Sequence, residues 1–188
     1  MDRWVLFIQS TLYLSWMKLT EAQEMISPGV ATDLVSNWSD LGCGKGLFTN
    51  ALASLLLQGS QVHAVDKEYQ QIKSIEPSVP ITFEQADIES VELTVGLDGI
   101  LMANAIHYVR DKASLLTKLS KSLNHNGRFI IVEYDDKKSN PWVPYPISFR
   151  ELEYLSKSLG FVETTKLNQR PSRYGGLMYS CMIKPFSQ

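Results

Sequence analysis

Asp40-Leu41-Gly42-Cys43-Gly44-Lys45-Gly46 decides how this chain is read. It follows a short apolar run, Trp38 to Leu41, and leads into a segment with Phe48, Ala51, Leu52, Leu55 and Leu56 on one helical face. Strand, glycine turn, helix is the opening of an α/β unit whose turn faces a ligand. The glycines let the backbone turn tightly and approach closely, and free amides at the helix start offer donors. A dinucleotide fingerprint needs its third glycine at position 47, where Leu47 stands; Gly46 comes one place early. No Gly-Lys-Ser or Gly-Lys-Thr follows, so a phosphate-cradling loop of that kind is excluded.

The same alternation recurs outward from this stretch and predicts α/β architecture with a mainly parallel sheet. Strands are expected over 38–41, 61–65, 81–85, 97–103 and 128–134. Helices are expected over 47–57, closed by Gly59, and over 67–75, stopped by Pro77. A third starts at Asp111 as N-cap and ends in the turn Asn124-His125-Asn126-Gly127; a fourth starts at the capping box Ser148 to Glu151 and closes at Gly160. Strands over 161–167 and 174–183 read as an edge hairpin. An earlier capping box, Thr20 to Gln23, marks the first helix.

Length and composition narrow the rest. The 188 residues allow one domain, and 44% hydrophobic with 20% charged residues excludes disorder and fibrous repeats. A net charge of -2 gives no basic excess for a nucleic-acid backbone. Cys43 and Cys181 cannot make a disulfide framework, and His63, His107 and His125 share no metal-ligand spacing with them, so no metal is expected and a reducing cytoplasm is. The apolar run Trp4 to Trp16 is too short to span a bilayer and lacks a signal-peptide pattern, so no membrane association is expected. Residues 1–16 read as an extension, or as an amphipathic helix packed on the body or on a second subunit; 17–188 is the working domain.

In an open α/β sheet, ligands bind outside the carboxyl ends of the strands. The second strand ends at Asp66, twenty residues past Gly46, where a carboxylate accepts ribose hydroxyls; the third ends at Ala86-Asp87-Ile88, where another meets a purine amino group. Two acids round a glycine loop repel phosphates and suit a ligand with hydroxyls, an amine and a positive charge.

With these motifs the chain resembles the class I S-adenosylmethionine-dependent methyltransferases, over roughly residues 20 to 185. Asp40 to Gly46 is similar to the family's first motif, Asp66 to its ribose acid, and Asp87-Ile88 to its adenine-side pair. Asp98 to Tyr108 looks like the fourth-strand motif, and Leu123 to Phe129 like the turn before the fifth strand, with His125-Asn126-Gly127 where Pro-Gly is usual. Leu159-Gly160-Phe161 and the hairpin complete the series. The resemblance implies a Rossmann-like, doubly wound seven-stranded sheet in the order 3-2-1-4-5-7-6, last strand antiparallel, with helices on both faces. It implies S-adenosylmethionine as cofactor and S-adenosylhomocysteine as product. By position it assigns Asp40 to the cofactor's amino-acid portion, Gly42, Cys43, Gly44 and Gly46 to its close approach, and Asp66 to its ribose. Asp87 and Ile88 take the adenine, Asn104 the methionine part, and Lys67 a packing contact.

For the transfer itself, His107 reads either as a general base or as a packed histidine in a turn, with Tyr108, Tyr134 and Glu133 behind it. His63 and His125 read as structural. Asn140, Trp142 and Tyr145, in the Pro- and aromatic-rich loop after the fifth strand, and Tyr174 in the last turn are expected to wall the acceptor. Asn104-Ala105-Ile106-His107 stands where amino-group nucleic-acid enzymes carry Asn-Pro-Pro-Tyr, so a small-molecule acceptor is expected. The alternatives are a non-catalytic S-adenosylmethionine-binding or partner protein of the same fold and a nicotinamide-dependent oxidoreductase, disfavoured by Leu47 and Asp87. Monomer and homodimer both remain open.

Overall fold

In the computed structural model, which describes residues 17–173 and 175–185, Trp38 to Leu41 lie buried at the middle of a sheet. They belong to β1 (Asn37–Leu41), flanked in parallel by β2 (Gln61–Asp66) and β4 (Leu97–Ala103). β3 (Ile81–Gln85) adds beyond β2 and β5 (Leu123–Tyr134) beyond β4, both parallel. A hairpin of β6 (Glu163–Pro171) and β7 (Leu177–Lys184) closes the sheet, with β7 antiparallel to β5. The order is 3-2-1-4-5-7-6, as the family resemblance implies. The expectations for residues 1–16 and for Tyr174 fall outside the described residues.

Both faces of the central strands are covered, which is why they read as continuous apolar runs. Successive side chains point to opposite faces. Ile100 and Met102 pack with Leu116 and Leu152, from α3 (Lys112–Ser120) and α4 (Phe149–Ser158). Leu101 and Ile130 pack with Met25 and Leu52, from α1 (Leu19–Ile26) and α2 (Leu47–Ala53). Each fully buried aliphatic side chain contributes about 1.5–3 kcal/mol by leaving water. The Trp38 ring fills the space that a side chain at Gly99 would occupy, which locks β1 against β4. Among the described residues no helix is long and apolar enough to cross a membrane.

The structure corrects several expectations. Residues 67–75 contain no helix. Asn50 holds this stretch instead: its Nδ2 donates to the Lys73 carbonyl at 3.2 Å and its Oδ1 accepts from the Ile75 N–H at 3.0 Å, so these groups are unavailable to a helical ladder. α2 ends at Ala53 rather than Leu57, because its last turn tightens to bonds from Leu55 to Leu52 and from Leu56 to Ala53. α1 is capped at Lys18, not Thr20. The Glu21 carboxylate accepts from the Lys18 N–H at 2.7 Å, while Gln23 is drawn to Ser54 Oγ.

β5 begins at Leu123 rather than Arg128. Leu97 pairs with Leu123 and Gly99 with Arg128, so two steps along β4 match five along β5. The excess is the expected turn Asn124 to Gly127, carried as a bulge inside the strand. In the hairpin both strands start later than expected. Gly175 and Gly176, at φ +89° and +70°, form the turn that precedes Leu177, and Pro171 is tolerated because β6 is the sheet edge. The caps at Asp111 and Ser148 form as read, accepting from Ser114 and Glu151 N–H.

Candidate active site

A cleft of about 380 Å³ opens at the carboxyl edge of the sheet. The loop after β1 contributes Gly42, the end of β2 Asp66 and Lys67, and the turn after β3 Asp87, Ile88 and Glu89. Asn104, Ala105, Tyr108 and Val109, past the end of β4, complete it. Seven of these are residues that the sequence singles out. Glu89, Ala105 and Val109 were not, although each lies next to or near a named residue.

The glycine loop is held by the second strand. Gly42 and Cys43 N–H donate to the Val65 carbonyl at 2.8 and 3.0 Å. The Gly44 N–H donates to Asp66 Oδ2 at 2.8 Å, and the Glu68 N–H to Oδ1 at 2.9 Å. Asp66 therefore has a fixed orientation, and each oxygen keeps a lone pair for a ligand hydroxyl. Gly42 is required: at φ +75°, a Cβ there would lie 2.6 Å from Ala105 Cβ. Gly46, at φ +81°, caps α2 with Ile72 against it. Asp87 is oriented likewise, its Oδ1 accepting from the Glu89 N–H at 2.8 Å. The Lys67 ammonium lies 5.8 Å from the centre of the Tyr108 ring, so these two side chains approach each other at the cleft.

Two buried acceptors near this edge lack partners among the described residues. Asp40 Oδ2 accepts from Thr49 at 2.6 Å, but Oδ1 accepts from nothing. Burial, with a smaller contribution from the neighbouring charge of Asp66, pushes the Asp40 carboxyl up to about 7 despite the Thr49 hydrogen bond. Asn104 Oδ1 is the second orphan, on a residue held in the left-handed region at φ 54°. Unmet acceptors on a protein's inside call for a donor from elsewhere. Cys43 is no nucleophile: burial and the charges of Asp40 and Asp66 push its thiol far up.

His107 does not line the cleft. It is buried in the turn Ile106–Tyr108, with Nδ1 2.9 and 2.8 Å from the two carboxylate oxygens of Glu133. Its ring packs on Tyr108, centre to centre 4.3 Å, and stands 6.0 Å from Tyr134. Lys112, for which the sequence carries no signal, is also buried here and donates to the Val109 carbonyl at 2.7 Å. The loop after β5 docks on this turn through the Tyr145 N–H, which donates to the His107 carbonyl at 3.0 Å. Tyr145 and Trp142 are exposed, and Asn140 builds the loop by accepting from Trp142 and Val143 N–H. None of these three reaches the cleft lining, nor does Tyr134; Tyr174 lies outside the described residues.

Comparison with known proteins follows the same lines. An uncharacterised methyltransferase of Mycobacterium tuberculosis is 28% identical over 99 residues, covering 50% of this chain and 49% of that one. The chain thus spans about half the length of the curated relatives it matches. Among solved structures, 1,6-didemethyltoxoflavin-N1-methyltransferase of Burkholderia thailandensis, with bound 1,6-didemethyltoxoflavin and S-adenosylhomocysteine, superposes with TM-score 0.67 at 18% identity, covering 96% of this chain and 84% of that one. An S-adenosylmethionine-dependent methyltransferase of Aquifex aeolicus gives 0.66 at 14%, covering 95% and 97%. At these identities the likeness is one of fold. The family model described as a methyltransferase domain matches residues 37–159, from β1 through α4, and the chain belongs to that family.

Proposed function

We propose that this chain binds S-adenosylmethionine in the cleft and transfers its methyl group to a small-molecule acceptor, leaving S-adenosylhomocysteine. The observation that carries this reading is the acceptor-rich cleft: the carboxylates of Asp66 and Asp87 line it, and Asp40 and Asn104 each keep a buried oxygen without a donor. A ligand with two hydroxyls, an aromatic amine and an ammonium group meets that set; a pyrophosphate does not. Family membership and the acceptor chemistry agree.

When bound, the cofactor supplies an electrophilic methyl on a sulfonium that departs as a neutral thioether. The residues of this chain do the rest. Asp66 accepts the ribose hydroxyls on its remaining lone pairs. Asp87 accepts from the adenine amino group while the Ile88 N–H donates to the ring. Gly42, Cys43, Gly44 and Gly46 let the backbone lie against the methionine part, whose ammonium Asp40 and Asn104 receive. Lys67 and Tyr108 cover it. Alignment of acceptor, methyl and sulfur with water excluded can supply about 7–11 kcal/mol of the barrier.

His107 is the proton acceptor in this reading, with its ring behind the exposed Tyr108, which has to move aside before an acceptor in the cleft reaches it. An ionised carboxylate only accepts, so Nδ1 carries the proton toward Glu133 and Nε2 is left as the basic nitrogen. Once the Tyr108 side chain moves aside, an acceptor seated between Tyr108 and Tyr134 meets that ring; Asn140, Trp142 and Tyr145 lie outside the cleft lining, on the loop that docks on this turn. Two free buried thiols, Cys43 and Cys181, support a reducing, cytoplasmic setting.

Calorimetric titration with S-adenosylmethionine, S-adenosylhomocysteine and NAD in parallel tests the reading. Binding of both adenosyl ligands in the micromolar range, with none for NAD, is the expected result. NAD binding without them would overturn it.

A further inference from the structure

We infer that the acceptor is an acid, carrying a carboxylate or a phosphate ester, and that Arg170 and Arg173 hold this group in a second cavity at the tip of the β6–β7 hairpin. The inference rests on the methyl-transfer reading. The cavity, of about 240 Å³, is lined among the described residues by Arg170, Pro171, Ser172, Arg173 and Met178, which bring two cations and no carboxylate.

Arg170 is only half satisfied. One guanidinium nitrogen, Nη2, donates to Glu21 Oε1 of α1 at 2.8 Å, while Nη1 is buried without a hydrogen-bond partner among the described residues. A charged donor left unmet is costly, and the Arg170 side chain is 26% exposed, so a ligand in the cavity that draws Nη1 toward itself completes it. Arg173 is exposed and forms no ion pair among the described residues. Glu21 offsets one of the two charges, which leaves the pair net positive. Two planar guanidinium forks match the oxygens of a carboxylate or phosphate, by geometry as well as charge.

The sheet fixes where this cavity stands. Met178 of β7 pairs with Tyr134 of β5 on one side and with Arg170 of β6 on the other, so the three form a row across the carboxyl edge. At the near end of that row the Tyr134 ring is 6.0 Å from His107, beside the cleft wall. Strands lie about 4.8 Å apart, so β7 and β6 stand roughly 10 and 14 Å from β4, where the cleft ends. An acceptor with its reacting atom at Tyr108 and His107, an apolar body along Tyr134 and Met178, and an acidic end at Arg170 spans that distance.

The test uses the full chain, titrated with phenylacetate, phenyl phosphate and the neutral phenylacetamide at low salt, with S-adenosylhomocysteine titrated in the same samples. At least one anion is expected to bind roughly tenfold more tightly than the amide, the scale of one charge-assisted hydrogen bond, and the tighter anion identifies the acidic group. Arg173→Gln, at an exposed position, weakens that binding roughly tenfold and leaves S-adenosylhomocysteine affinity unchanged. Glu21→Gln removes the competing carboxylate and tightens anion binding. Equal binding of anions and amide, or wild-type anion affinity in both Arg173→Gln and Arg170→Gln, overturns the inference. If S-adenosylhomocysteine binds and the anions show no preference, the anion site alone fails; if the anions bind selectively and S-adenosylhomocysteine does not, it is the methyl-transfer reading that fails.

Discussion

The imidazole of His107 meets Glu133 face on: Nδ1 lies within 2.9 Å of both carboxylate oxygens, and the His107 N–H donates to one of them at 3.3 Å. Both side chains are buried, so the pair sits where an unmet charge is expensive. Glu133 is the penultimate residue of β5 and His107 follows β4, which makes the pairing of these parallel strands the frame that sets the ring. His107→Asn should lower kcat by about 10²- to 10⁴-fold while S-adenosylhomocysteine affinity stays within about twofold of wild type. Glu133→Ala should cost about 3–5 kcal/mol of stability by stranding its partners, and Glu133→Gln much less. Single-turnover rates with the acceptor found by screening, and denaturant unfolding, check the two effects separately.

Asp40 makes the protein pH-sensitive in a defined window. Its carboxyl titrates near 7 when folded against an ordinary 3.8, so between those values the folded chain holds a proton that the unfolded chain releases. Stability therefore falls as pH rises from about 4 to about 7 and levels off above. A bound ammonium favours the ionised carboxylate, so S-adenosylhomocysteine affinity should rise from pH 6 to pH 8. Asp40→Asn should be more stable than wild type at pH 8, bind more weakly, and lose that pH dependence. Thermal melts and calorimetry at three pH values test this; a pH-independent wild-type affinity would falsify the assignment.

Gly42 and Asp66 should separate backbone fit from ligand hydrogen bonding. Gly42→Ala drives a methyl against Ala105 in a left-handed conformation, costing about 1–3 kcal/mol in stability and abolishing tight cofactor binding. Gly44→Ala meets no heavy atom of the protein within 4 Å and should destabilise less. Asp66→Ala removes the proposed ribose acceptor and the anchor of the Gly44 N–H, and should weaken S-adenosylhomocysteine by about 1.5–3 kcal/mol. Unfolding midpoints set beside binding constants distinguish the three.

Met17 is almost fully buried, in the same core cluster as Trp38 and Leu101. A chain shortened to begin at Met17 should keep its melting temperature within a few degrees and its S-adenosylhomocysteine affinity, as expected if the working domain starts there. Loss of either would assign residues 1–16 to the folded body.

Much of the candidate cleft was legible because its signals are local. Asp40 to Gly46, Asp66, Asp87-Ile88 and Asn104 lie at or within a few residues of a strand end, and strand ends announce themselves by a change of periodicity within a few residues. The helix expected over 67–75 failed for the opposite reason. The stop at Pro77 is a local signal, but Asn50, more than twenty residues before Lys73, captured the backbone groups that a helix needs. Such capture leaves no trace in a window of a dozen residues.

The sequence alone therefore determined the α/β class, the glycine turn and the acids around it, because backbone conformation and side-chain alternation are set by near neighbours. Only the tertiary structure decided which groups meet. Glu133 reaches His107 across 26 positions and Glu21 reaches Arg170 across 149. It also left Asp40 and Asn104 each with an oxygen that nothing among the described residues satisfies. Burial and partnership belong to the assembled sheet, where the cost of an unmet polar group depends on everything packed around it.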